Sequence, residues 1–173
     1  TGMGHLDNLG IKKIRGDSQT WSMISNAVRY LDDRMHEDYE RILKQDKTNM
    51  DKNHLGYEQI QYLYARSYFK DIPVQNKNQN AYHYYKGQAK KYWLNNSRYM
   101  QGMIALGLHR YGDKVTPAGI MKSIKENALY SDEIGMYWKE NYEGFYWYEA
   151  PVESHSLLVE AFDEVMNDKK AVD

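Results

Sequence analysis

Six stretches of this chain carry apolar residues at steps of three and four, a spacing that constrains the fold to helices with one buried face. In the first, Trp21, Ile24, Val28, Leu31 and Met35 mark one face of a helix expected over 20–44, with Asp17, Ser18 and Thr20 as candidate caps. His36 to Arg41 reads as its charged, solvated end. The second, 55–70, carries Ile60, Leu63, Tyr64 and Tyr68, with Tyr57 one turn ahead. Asp71-Ile72-Pro73 stops it, because the residue before a proline resists helical geometry. The third, 81–95, is crowded by Tyr82, Tyr84, Tyr85, Tyr92 and Trp93, with Lys86, Lys90 and Lys91 outward. Asn95-Asn96-Ser97 is a turn and cap for the fourth, 98–111, which is built on Met100, Met103, Ile104, Leu108 and Tyr111 and closed by Gly112-Asp113. Thr116-Pro117 opens the fifth, 117–129, as an N-cap followed by proline at the first helical position; its face is Ile120, Met121, Ile124 and Ala128. The sixth, 152–167, buries Leu157, Leu158, Ala161, Phe162 and Val165 and frays at Asn167-Asp168. Thr1 to Leu9 resembles the last turns of a further helix, ended by Gly10.

One segment breaks the helical pattern. Gly135 to Lys139 and Gly144 to Tyr148 are rich in strand-favouring residues, with Glu140-Asn141-Tyr142-Glu143 as the turn between them. They predict an aromatic ribbon over 135–148, which Ala150-Pro151 ends and the sixth helix follows. A lone hairpin is marginal in water, so its rings must pack on helices. Short connections between helices of similar length imply antiparallel neighbours. The order of long and short pairs is that of successive hairpins of an α/α toroid.

At 173 residues the chain has room for one domain with a real core. A net charge of −1 argues against nucleic acid or an anionic membrane as the main partner. The absence of cysteine excludes disulfides, thiolate metal sites, a cysteine nucleophile and an internal thioester within these residues. The opening Thr-Gly-Met-Gly is unusual for a natural start, so the chain reads as a piece of a larger protein and the lack of a leader says little about location. Tyrosine is abundant, 17 against 3 phenylalanines. Its flat ring and polar tip suit packing at half-wet inner surfaces, or a carbohydrate groove; packing is the preferred reading.

The search for chemistry yields little. The histidines at 5, 36, 54, 83, 109 and 155 have no second histidine or carboxylate pair at ligand spacing, so no metal and no cofactor are expected. The one enzyme-like constellation is the set of carboxylates near the ribbon, Asp132, Glu133, Glu143, Glu149 and Glu153. Two acids flanking a sugar are the machinery of glycoside hydrolysis, and Trp138 and Trp147 could stack on pyranose rings. Against this, Glu153 in a first helical turn is also where the helix dipole favours an acid. The residues that could form a contact surface are Tyr137, Trp138, Tyr146, Trp147, Tyr148, Glu149, Glu153 and His155. No catalytic residue is assigned.

Several long motifs carry a resemblance. GQAKKYWL (87–94), YMQGMIALGL (99–108), GMYWKE (135–140) and FYWYEAPVESHSLLVEAFDEV (145–165) resemble the large bacterial alpha-2-macroglobulin-like proteins of the Bacteroidetes type. TGMGHLDNLG, YLDDRMHEDYE and QIQYLYARSYFKDIPV extend the resemblance over essentially the whole chain. It implies an all-α fold, part of the α/α toroid that corresponds to the macroglobulin thioester domain and is similar to the terpenoid-cyclase and prenyltransferase barrels. Members of that family are endopeptidase inhibitors that trap a protease after it cuts a bait region, and a Cys-x-Glu-Gln thioester tethers the prey where one is present. With no cysteine, these residues contain no thioester, nor do they resemble a bait region, so no functional residue carries over. The resemblance implies a non-catalytic structural and protein-contact role within an inhibitor of the cell envelope, either periplasmic or anchored in the outer membrane. Its partners would be the parent protein's other domains and target proteases. The alternative from a different class is a toroid that binds or cleaves glycans through its Tyr/Trp-rich surface.

Overall fold

The computed structural model describes residues 1–133, 135–138 and 151–168. The chain is mostly helical, with one small two-stranded antiparallel sheet. It divides into two compact units, Thr1–Tyr92 and Trp93–Asp173.

The first unit holds α1 (Gly2–Asn8), α2 (Ser18–Asp46), α3 (Tyr57–Ser67) and α4 (Gln79–Tyr92). Asp17 starts α2: its Oδ1 accepts from the backbone N–H of Gln19 at 3.1 Å and of Thr20 at 3.3 Å, which satisfies two of the donors a helix start leaves open. An apolar cluster of Ile14, Ile24, Val28, Phe69 and Ile72 seats α2 on the chain segments that follow α1 and α3, with Met3, Trp21 and Tyr68 packed against it. Ile14 is wholly buried although it lies in a segment that reads as loop; a 3-10 turn over Ile14–Gly16 turns it inward. Arg15 beside it ties the unit together. Its guanidinium pairs with Asp7, donates to Asp71 Oδ2 at 2.9 Å and to the Tyr68 carbonyl at 3.2 Å, and lies 5.2 Å from the centre of the Trp21 ring.

Two expectations in this unit need correction. The α2 face runs Ile24, Val28, Asp32 and Met35; Leu31 is exposed. Steps of three and four fit either residue, so periodicity alone cannot choose between them. The helix expected over 55–70 begins at Tyr57, where the Gln59 side chain accepts from the Gly56 N–H at 3.0 Å, and ends at Ser67, six residues before Pro73. Past Ser67 the backbone tightens, with the Tyr68 N–H donating to the Ala65 carbonyl and the Phe69 N–H to the Arg66 carbonyl, while the Arg66 side chain donates to the carbonyls of Phe69 and Ile72.

The second unit holds α5 (Arg98–Arg110), α6 (Val115–Glu126), β1 (Leu129–Ser131), β2 (Gly135–Tyr137) and α7 (Pro151–Ala161), which runs on as a π-helical turn over Phe162–Met166. Ser97 Oγ accepts from the Met100 N–H, so the predicted cap is in place. α5 is buried from Gly102 through Leu108 and packs on both α6 and α7. Its glycine at 102 is a close-approach position: a Cβ there would lie 3.3 Å from methyls of both Leu157 and Leu158. Burying side chains such as Ile120, Leu158 and Phe162 contributes about 1.5–3 kcal/mol each.

The cap of α6 is not Thr116. Asp113 Oδ1 accepts from the N–H groups of Val115 at 3.0 Å and Thr116 at 3.1 Å, while Oδ2 accepts from the Thr116 hydroxyl at 2.9 Å. The helix therefore begins two residues before Pro117, which still falls in the first turn, where a missing N–H costs nothing. The ribbon also differs. Gly135–Tyr137 pairs antiparallel with Leu129–Ser131, in the register Leu129 opposite Tyr137 and Ser131 opposite Gly135. The upstream strand begins at Leu129, the residue where the fifth helix was expected to end, and α6 stops at Glu126 instead. Gly135, at φ +71°, takes the left-handed conformation that closes such a short loop. The strand expected at 144–148 lies outside the described residues. At the far end α7 does not fray by Asp168. Asn167 turns left-handed at φ 51°, its N–H donates to Asp163 O at 3.0 Å, and the Asp168 side chain pairs with Lys125.

Candidate functional site

Of the eight residues named as a contact surface, four are described. Trp138 follows β2 and is 4 % exposed; its indole N–H donates to the Ile124 carbonyl at 3.0 Å. Its ring centre lies 5.6 Å from that of His155, tilted by 50°, so β2, α6 and α7 meet at this side chain. Tyr137 is half-buried in β2, His155 is half-buried on α7, and Glu153 is exposed in the first turn of α7. The structure thus brings Trp138 and His155 together and leaves Glu153 in solvent. Tyr146, Trp147, Tyr148 and Glu149 lie outside the described residues, as does Glu143. Asp132 and Glu133 are exposed in the loop between the strands, where Ser131 Oγ accepts from the Glu133 N–H at 3.2 Å. Beside this region Val152, His155, Ser156 and Val159 line a shallow concavity of about 550 Å³.

Among the described residues, the second unit holds a carboxylate pair that sequence spacing did not single out. Glu160 and Glu164, one turn apart on the end of α7, both bind Arg110 of α5. The guanidinium meets Glu164 with two bonds, at 2.8 and 2.6 Å, and Glu160 with one at 2.7 Å. The arginine side chain is 7 % exposed, and its fork geometry suits this arrangement. Two acids held on one guanidinium are matched to a cation already and are not arranged across an open space, as sugar hydrolysis requires.

The first unit contains the most deeply buried charges. Asp32 on α2 and Arg66 on α3 are 1 % and 3 % exposed. Asp32 Oδ1 accepts from the Tyr62 hydroxyl at 2.7 Å and from Arg66 Nε at 3.1 Å. The other guanidinium nitrogens donate to the Phe69 carbonyl and, at 2.5 Å, to the Ile72 carbonyl. Burial first, and then the Asp32 charge, push the Tyr62 phenol well above its ordinary range, so it stays a donor. The group ties α2 to α3 and to the chain leaving α3. Its sequence signal is weak: an aspartate on a core stripe, with the tyrosine and arginine one helical turn apart on the next helix.

Tyrosine hydroxyls do similar work elsewhere in this unit. Tyr85 is fully buried and donates to Asp38 at 2.5 Å, an acid that also accepts from Gln59 at 3.0 Å and pairs with Arg41. The end of α2 is therefore a packed node, where the sequence had read as a solvated surface. Tyr84, Gln88, Lys91 and Tyr92 follow each other along one side of α4. They donate to the backbone carbonyls of Met50 and Asp51, while Gln88 also accepts from the His54 N–H at 2.8 Å. Tyr84 further meets His54 Nδ1 at 2.5 Å. Burial, helped by neighbouring phenols, raises the Tyr84 hydroxyl to about 12.

Between α2 and α3 runs a groove of about 730 Å³, with Tyr30, Leu31 and Arg34 on one wall, Glu58 and Gln61 on the other, and Tyr62 at its base. Arg34 pairs with Glu37 and Arg41 with Asp38 along its α2 side. Among the described residues no group of three or more histidines, cysteines or acids could hold a metal ion, and no helix is long and apolar enough to cross a membrane. In comparisons with protein-family models, with curated proteins and with solved structures, nothing matches this chain.

Proposed function

We propose that this chain is a non-catalytic structural and protein-contact segment of an alpha-2-macroglobulin-like endopeptidase inhibitor, part of an α/α toroid without a thioester of its own. The reading rests on the resemblance of its long motifs, and it is in keeping with a chain that is mostly helical. The observation that favours it over the glycan reading is Trp138. A sugar platform needs an open ring face, whereas this ring is buried and its N–H is spent on Ile124. The partners would be the parent protein's other domains and its target proteases, at the cell envelope.

The test uses the full parent protein mixed with a panel of endopeptidases, each followed on a large protein substrate and on a small peptide. Loss of activity on the large substrate alone is the expected result, since a trapped protease still admits small molecules. Unchanged cleavage of both substrates across the panel would count against inhibition.

A further inference from the structure

The Asp32 centre has an oxygen to spare. Oδ1 accepts from both Tyr62 and Arg66, and Oδ2 is buried with no hydrogen-bond partner among the described residues. A buried acceptor left unmatched is costly, and native folds seldom keep one. Two further orphans belong to the same stretch of α2 or are fastened to it. Asn78, 1 % exposed, donates its amide to Asp33 Oδ1 at 2.7 Å, the residue next to Asp32, and leaves its own Oδ1 buried and unbonded. His36 stands one turn after Asp32 on α2, and its Nδ1 is likewise buried and unbonded.

We propose that one internal water molecule binds here, donating to Asp32 Oδ2 and Asn78 Oδ1 and accepting from His36 Nδ1–H. The two oxygens are both acceptors, so they cannot satisfy one another; the smallest guest that serves both carries two O–H donors. Charge argues against a cation. Asp32 is already matched by Arg66 and Asp33 by Lys77 at 2.8 Å, so no negative charge is left over to hold one. Three polar partners is the usual complement of a buried water. The water would join α2 to the foot of α4 next to the Asp32–Arg66 bond, which itself joins α2 to α3.

Two measurements decide it. A high-resolution crystal structure of the chain is expected to show one water within about 2.6–3.2 Å of both oxygens. A protein donor on Asp32 Oδ2, a metal ion in that place, or a water touching only one of the oxygens would overturn the proposal. Nitrogen-15 NMR of the His36 ring is expected to find the proton on Nδ1, and a bare Nδ1 would remove the third partner and overturn the three-point arrangement.

Discussion

The two units of this chain solve the same packing problem with different chemistry. The first buries Asp32, Arg66, Ser67, Asn78 and Gln88 among its apolar residues, and the hydroxyls of its buried Tyr62 and Tyr85 are bonded to acids. The second is built from Met103, Ile104, Leu106, Ile120, Met121, Leu158 and Phe162, and Ser154 is the one polar residue counted in its core among those described. An apolar core is forgiving of side-chain identity, whereas a buried polar network binds each member to particular partners. The first unit should therefore be brittle where the second is plastic.

The largest difference is expected at the buried pair. Arg66→Ala strands the Asp32 carboxylate and should cost about 3–5 kcal/mol in urea unfolding. By contrast, Met121→Leu in the second unit should cost less than about 1.5 kcal/mol. Equal losses would erase the distinction. The plasticity of the second unit has a limit at Gly102, where Val would press on Leu157 and Leu158 and should cost about 1–3 kcal/mol. Helix caps sharpen the comparison, because both units use the same device: Asp17→Ala and Asp113→Ala, one in each unit, should lower the urea midpoint by similar and smaller amounts.

The smallest effects are those of pH, and at acid pH they should fall on the first unit. The Arg15 partnership holds Asp71 below its ordinary 3.8, and Lys77 and then Asn78 do the same for Asp33. These contributions are complete above the unfolded value and are lost as pH falls from about 4 through the lower folded values. Tyr84 works in the opposite direction. Its phenol ionises near 10 when unfolded and near 12 when folded, so the unfolded chain sheds its proton first and stability declines as pH rises between those values. Circular dichroism titrations of the chain and of Tyr84→Phe should differ in that alkaline window; superimposable curves would remove Tyr84 from the account.

The contrast also explains what could be read from the residues. Where burial is apolar and periodic, as with Ile120, Met121 and Ile124 or Leu157, Leu158 and Ala161, spacing alone located helices and faces. It failed where a polar residue took a core position: Leu31 was preferred to Asp32, and Asp38 passed as solvated surface, because periodicity scores hydrophobicity and not partnership. The cap at Asp113 was missed because Thr116-Pro117 carries the same signal three residues later. The three-residue strand at Leu129–Ser131 offered too few alternations to stand out from the helix before it. Trp138 and His155 both stood in the candidate contact surface, but whether an indole is a platform or a plug depends on a carbonyl fourteen residues away.

The account turns on the buried charges of the first unit being scaffold, in keeping with the proposed contact role, and a double-mutant cycle tests this most directly. Arg66→Met and Asp32→Leu would be made singly and together, and each variant unfolded in urea. Each single change leaves a buried charge alone and should cost several kcal/mol, about 3–5. The double variant removes both charges and should recover most of that loss. A double variant as unstable as the sum of the two singles would mean that the pair is not coupled, and would contradict the account.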